Sequence, residues 1–475
     1  MASPVLHGTR DLARLVGAAA DQAFPSRSAL PRTVSWRSPV IVGAGAAVLV
    51  TISLGPMVRD LGNVSLVLWF GTAAVGAIQC ILLAELTSRF SYRAGTAQYA
   101  YRALERGSPT LSALSGWCYW IGWTPGIAVN LILAAHYLTA ALPINANPFV
   151  LALCIGVGLY GLNLLGLRLS LRISAVVGVA CLAPLLLILI GPAIHPATFH
   201  LSRVVPLALP AVSHHHHSGT GDIALLVMKW TFVATWAAYG GEMASTLCSE
   251  VRNCSCDMPR AMSWSASICL ASFAIVPVVL IAVVGKTALQ RDPLVAWLPA
   301  AQALFGPGGR VAVALMLALA LIFAAEAFII SSSRTVYQLA CDGHLPTIFA
   351  RINRQGVPIG SLFWDATVIG LMLLVFGTHV VDVVAAANVG YLIVFVLMPM
   401  AYLVLRRRSD GDPDGLRLPK IFSFFAVALV ATNLLILVAG VSQWGPGVLL
   451  IGVGLSAGII PLSLWTRRQS QSLAR

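Results

Sequence analysis

Charge is what this sequence lacks most. Asp, Glu, Lys and Arg make up 10% of its 475 residues, where a soluble domain carries about 25%. Acidic side chains are the scarcest, 17 Asp and Glu against 30 Lys and Arg. A water-soluble enzyme of this length would need far more charge to cover its surface, so that class is excluded. Hydrophobic residues at 58% exclude a disordered chain, and the absence of a glycine repeat excludes a collagen-like one. Cysteine is sparse, with nine residues spread over the chain. Most lie inside apolar runs, where a thiol behaves as a small hydrophobe, so no disulfide framework is implied. The net charge of +13 raises a nucleic-acid partner, which is rejected because the basic residues lie between apolar segments and not on one patch. What is abundant is long apolar runs, and the class that remains is a polytopic membrane protein.

A spanning helix needs about 20 mostly apolar residues. Twelve such runs are read, at 38–57, 62–84, 111–143, 147–167, 173–195, 222–246, 260–286, 309–335, 359–379, 383–405, 421–440 and 446–466. The first 37 residues are polar and Arg-bearing and are read as a tail, not a signal peptide. With both termini placed in the cytoplasm, 24 Lys and Arg fall on that side and five on the other: Arg59, Arg203, Lys286, Arg291 and Arg310. That asymmetry is the positive-inside signature. The organisation expected is a cytoplasmic tail at 1–37, a transport core of ten spans at 38–405, a cytoplasmic loop at 406–420, two further spans at 421–466 and a tail at 467–475. The lipid bilayer is the solvent of the fold, and monomer and homodimer stay open.

Two spans look interrupted. Span 1 carries Ser53-Leu54-Gly55-Pro56 and span 6 carries Tyr239-Gly240-Gly241-Glu242. Broken backbone in a bilayer is tolerated where it lines a cavity. Spans 1 and 6 correspond if spans 1–5 and 6–10 are inverted repeats, and matched interruptions point to a transporter's binding site.

At span 6 the residues become recognisable. Trp236-Ala237-Ala238-Tyr239-Gly240-Gly241-Glu242, then Ser249-Glu250-Val251-Arg252-Asn253 and Met258-Pro259-Arg260-Ala261, resemble the amino acid–polyamine–organocation permeases. So do Ala84-Glu85-Leu86-Thr87-Ser88-Arg89-Phe90 with Ala94-Gly95 and Tyr99, and Ser333-Arg334-Thr335-Val336-Tyr337 with Cys341-Asp342-Gly343-His344-Leu345-Pro346. The resemblance covers about residues 38–405. It implies an all-α fold of two inverted five-helix repeats plus two helices, a substrate cradled by broken helices 1 and 6, and alternating access at the plasma membrane. The sequence departs from the family at three places. At the place read as its break, span 1 has Ser53-Leu54-Gly55-Pro56 and not a Gly-small-Gly run, Asn253-Cys254 stands where Asn-Pro is usual, and Cys181 falls where many members carry a lysine in span 5.

Within this frame Glu242 is the first candidate, since an acid inside a membrane is costly and functional by default. It would meet a substrate amine or carry a proton. Glu326, in the apolar run Leu321–Ile330, would repel Glu242 if the two were close, and a cationic ligand would relieve that. A basic amino acid or polyamine is the alternative substrate this suggests, and pairing of Glu326 with an amide or basic group is its bland counterpart. Ser53, Gly55, Trp236, Tyr239, Gly240 and Gly241 complete the expected substrate site. By resemblance, Trp236 would lid it. Ser331, Ser332 and Ser333 are candidates for a sodium site. Glu250, Arg252, Arg260 and Arg334, with Arg89, are expected at an inner gate. No cofactor or metal is expected, and H+ or Na+ as coupling ion stays open. Gly454-Leu455-Ser456-Ala457-Gly458 matches a nucleophile elbow but lacks the strand and the histidine that motif needs, so no enzyme is read. The tract His214–His217 is discounted as a metal site. A membrane protein that kept this fold without transporting, such as a sensor, is the rival from another class.

Overall fold

The computed structural model describes residue 32 and residues 34–473, apart from 91–94, 105–107, 143–144, 167–182, 210–219, 292–294, 296, 377–379 and 409–410. The described residues are almost wholly helical. In order, α1 is Arg37–Ala44, followed by a 3-10 stretch Gly45–Leu49, and α2 is Val50–Leu61. Then come α3 Val64–Arg89, α4 Thr96–Leu104, α5 Pro109–Ala141, α6 Pro148–Leu164, α7 Ala183–Ile194 and α8 Thr220–Ala238. A second 3-10 stretch, Gly240–Glu250, leads to α9 Cys254–Arg291, α10 Leu298–Cys341, α11 Ile359–Phe376, α12 Val380–Arg406, α13 Ile421–Leu435, α14 Gly445–Ala457 and α15 Ile459–Leu473. Among the described residues, seven helices are long and apolar enough to cross a membrane, or eight if the bent pair Ala183–Ile194 and Pro196–Arg203 is one span. That is fewer than the twelve runs read from sequence. Breaks shorten the first run, Pro148–Leu164 falls short of a full span, and Ile421–Thr466 counts as one path. Residues 173–182 of the fifth run, with Cys181, lie outside the described residues.

The helices are apolar around most of their circumference, as buried and lipid-facing helices must be. Their starts are fixed locally. Ser108 caps α5 by accepting from the Leu111 N–H, with Pro109 in the first turn. Asn147 caps α6 through the Phe149 N–H at 2.9 Å, ahead of Pro148. Both are the pairing expected where orphan amides meet a polar cap and proline. Gly306, at φ +71°, and Pro307 break α10 near its start, a backbone conformation glycine adopts without steric cost.

The centre of the molecule is where α5 lies along α10 and α3 along α9. The two 3-10 stretches cross there. A side chain at Gly240 would meet the Cβ of Ala46 at 2.3 Å, and one at Gly43 would meet Ser265 Oγ at 1.9 Å. Backbones approach this closely only over glycine and other small residues. Ser265 and Ser272 of α9 donate to the freed carbonyls of Gly241 and Ala47, each at 2.7 Å. The chain break at Tyr239–Gly240 therefore falls where the Gly-Gly pair was read. The first break does not: it lies at Gly45–Leu49, and Ser53, Gly55 and Pro56 sit inside the continuous α2. Gly43-Ala44-Gly45, at that break, is the Gly-small-Gly run that the reading at Ser53-Leu54-Gly55-Pro56 missed.

Beyond Glu250 the chain turns back, and Val34 pairs with Val251 as an isolated parallel bridge. Val34 N–H donates to Glu250 O at 3.0 Å and Arg252 N–H to Val34 O at 3.1 Å. Trp36 lies under the Arg260 guanidinium, 4.1 Å from the ring centroid. The same turn joins Cys248 to Cys254 in a disulfide. One such pair is not a disulfide framework; the two cysteines, six apart, meet where the chain turns back, which spacing alone did not show.

Candidate functional site

Glu242 lies in the second 3-10 stretch and is completely buried. Its carboxylate is surrounded by donors from three other elements. Thr96 Oγ1, at the start of α4, donates to Oε2, and Tyr119 of α5 does so at 3.2 Å. Trp123 Nε1 of α5 donates to Oε1 at 3.2 Å and Tyr391 OH of α12 at 3.4 Å. Thr96 also contacts Ser245 Oγ at 3.2 Å. A buried carboxylate is tolerable because its lone pairs are met in this way. Trp236 closes one side. Its Nε1 donates to Gly122 O at 2.6 Å, and its ring packs on Trp123 and Phe328. An acid walled by Trp123, Tyr119 and Tyr391 offers an ammonium a buried counter-charge.

The other expected site residues divide. Gly240 and Gly241 stand at the crossing of the broken segments. Tyr239 turns away from Glu242: its hydroxyl donates to Asn433 Oδ1 at 2.9 Å, in α13, and its ring packs on Phe395. Ser53 is buried in α2, outside the hydrogen bonds of the cage. Glu326 is held by Asn163 of α6, whose Nδ2 reaches both carboxylate oxygens at 2.9 and 2.8 Å. The expected approach of Glu326 to Glu242 is therefore replaced by an amide partner on a neighbouring helix. Of the three serines, Ser332 donates to Asp365 at 2.6 Å and Ser333 to the Ile329 carbonyl at 2.7 Å. Glu250 and Arg334 form an ion pair with side chains almost buried, whereas Arg252 and Arg260 are exposed. Arg89 pairs with Glu85 at 3.4 Å, and Glu85 also accepts from Tyr402 at 2.7 Å and from the Leu418 amide at 3.1 Å.

Sequence reasoning missed the cage itself and a second buried acid. Thr96, Tyr119, Trp123 and Tyr391 carry no charge and look like ordinary polar or aromatic helix residues. Asp365 was findable, because it interrupts the apolar run Ser361–Ile369 just as Glu326 interrupts its own. It accepts from Trp120 Nε1 at 2.9 Å and Tyr160 OH at 2.8 Å as well as from Ser332, so α5, α6, α10 and α11 meet at one carboxylate. Replacing Asp365 by Ala leaves three buried donors without an acceptor. With about 1–3 kcal/mol for each such group, thermal unfolding in detergent should show a loss of about 3 kcal/mol or more, and Asp365→Asn a smaller one. An unchanged melting temperature in Asp365→Ala would refute the linking role.

Next to the cage is a small polar cavity of about 20 Å³, lined by Gln98, Tyr119, Thr246, Ser249 and Arg334 among others. Tyr119 borders both the cavity and Glu242.

Comparison with known proteins bears on this arrangement. A family model described as amino acid permease matches residues 34–457. An uncharacterized transporter of Legionella pneumophila is 24% identical over 359 residues, 71% of this chain and 74% of that protein. An uncharacterized amino acid permease of Bacillus subtilis is 22% identical over 336 residues, 66% of this chain and 71% of that protein. A mitochondrial cationic amino acid transporter of Arabidopsis thaliana is 25% identical over 418 residues, 83% of this chain and 64% of that protein.

Proposed function

We propose a function from one premise: the chain belongs to the amino acid permease family matched over residues 34–457. It is a multi-pass membrane transporter, and its substrate is an amino acid or related amine moved across the plasma membrane by alternating access. The observation that carries this reading is the buried Glu242 at the crossing of two broken segments, with Thr96, Tyr119, Trp123 and Tyr391 around it. Small-molecule ammonium groups fit such an acid, and freed backbone groups of the broken segments complete a midplane site. The arrangement proposed is twelve spans, ten of them in inverted repeats, with both termini cytoplasmic, supported by the Lys and Arg asymmetry. On that orientation Glu250 and Arg334 close the inner side and Trp236 the outer.

One relative is named as a cationic amino acid transporter, which supports a basic amino acid. A polyamine draws less support, because Asn163 holds the second acid, Glu326, away from the cage. For the driving ion we propose a proton exchanged at Glu242, the buried acid at the crossing of the broken segments.

Purified protein in liposomes tests the reading. Imposed pH gradients should drive uptake of at least one amino acid or amine from a panel of the common ones, and sodium gradients alone should not. A transported ligand should also raise the melting temperature by binding the folded state. Folded protein that neither moves nor is stabilised by any of them would favour the non-transporting alternative.

A further inference from the structure

We propose that the small polar cavity beside Glu242 is a release subsite that binds the substrate's carboxylate, with Gln98 and Arg334 as its ligands and Glu250 as the group that carboxylate displaces. This rests on the permease reading and narrows it to substrates that carry a carboxylate.

The first observation is an amide with no partner. Gln98, in α4, is 3% exposed, and neither its Oε1 nor its Nε2 has a hydrogen-bond partner among the described residues. Buried amides are nearly always satisfied, and leaving one unmet is costly. Gln98 is one of the residues lining a cavity large enough for one water.

The second observation is polarity. The described lining holds the guanidinium of Arg334, the hydroxyls of Thr246, Ser249 and Tyr119, and no acid. A planar guanidinium with a neighbouring amide N–H matches a carboxylate. The Glu242 cage has the opposite character, an acid with aromatic walls that suits an ammonium. Tyr119 belongs to both. A zwitterion could therefore keep its ammonium at Glu242 while its carboxylate reaches past Tyr119 toward Arg334.

The third is closure. Arg334 is engaged by the carboxylate of Glu250, and the cavity admits no more than a water. A substrate carboxylate enters only as that pair parts, replacing one anion by another at the same guanidinium. Exchange of this kind opens the inner gate without stranding a buried charge, which is the expensive alternative. A decarboxylated amine lacks the group that makes the exchange.

The test uses the full chain in liposomes sorted by orientation, with L-leucine against isoamylamine and L-lysine against cadaverine. Gln98→Leu should raise the KM for the transported amino acid from the cytoplasmic face about tenfold, the scale of one hydrogen bond to a charged group. Its KM from the outer face, and that of the matching amine from either face, should stay within about twofold. Gln98→Glu should raise the cytoplasmic KM further, because it places a competing anion beside Arg334. If Gln98→Leu does not fold, Gln98→Asn is measured, with the same face-specific direction expected. Equal changes at both faces, equal changes for amine and amino acid, or wild-type kinetics in these variants would each overturn the subsite alone. No flux of any of the four compounds by the wild-type protein would overturn the permease reading for them, and the subsite with it.

Discussion

Glu242→Gln should fold like the wild type in detergent and yet lose about 100-fold or more of its transport rate. The cage explains why the fold survives. Trp123 can only donate, and it meets Oε1; Thr96 and Tyr119 meet Oε2, and their hydroxyls can turn to accept. An amide fits if its oxygen faces Trp123 and its NH2 faces the two hydroxyls. What disappears is the negative charge. Removing one partner of a buried charged pair typically costs about 2–5 kcal/mol, and about 2.7 kcal/mol is a factor of 100. Glu242→Leu is the contrast. It strands all four donors, at about 1–3 kcal/mol each, and should lower the melting temperature as well as abolish flux. The measurements are thermal unfolding and liposome flux on the same preparations. Transport by Glu242→Gln near the wild-type rate would remove Glu242 from the mechanism and leave it a structural acid.

The second large effect is expected at Gly240. An added methyl group there meets the Cβ of Ala46 at 2.3 Å, a separation that packed atoms do not tolerate, and neither broken segment is free to retreat. On the other side Gly43 and Gly241 are equally confined by Ser265 of α9. Overpacking of this kind costs about 1–3 kcal/mol. Gly240→Ala should therefore lower stability by about that amount and slow transport, because the two 3-10 stretches can no longer touch. Ala46→Gly should restore much of the loss in the double variant, giving a coupling between the two sites of about 1 kcal/mol or more. If the two changes are simply additive, the segments do not bear on each other as described. Thermal unfolding of the four proteins in one detergent decides it.

How much of this was legible in the sequence depends on the kind of signal. Intramembrane charge is rare, so Glu242 and Glu326 stood out, and Asp365 would have stood out under the same rule. The break at Tyr239–Gly240 was legible because two glycines adjoin an acid. The break at Gly45–Leu49 was marked by Gly43-Ala44-Gly45, but Pro56 drew attention to a stretch that stays helical. Side-chain direction was hidden altogether. Tyr239 is next to Gly240 in sequence but its hydroxyl reaches α13, and Glu326 sits on α10 facing Asn163 instead of the cage. Those choices are made by helix rotation and by partners far away in the chain. The aromatic and hydroxyl donors around Glu242 come from α4, α5 and α12, which no local pattern links.

The bridge between Val34 and Val251 has a biosynthetic meaning. Chains are made and inserted from the N-terminus at roughly 5–20 residues per second. The segment ahead of α1 finds its hydrogen-bonding partner only when Val251 emerges, half a chain later. Until then the unwound Gly45–Leu49 stretch has neither Gly240 nor Ser272 to satisfy it. Early helices must wait in the bilayer with exposed polar backbone, held there by the insertion machinery or by water. The arrival of the second broken segment thus completes the first, and the Glu250–Arg334 gate forms only later, when α10 emerges.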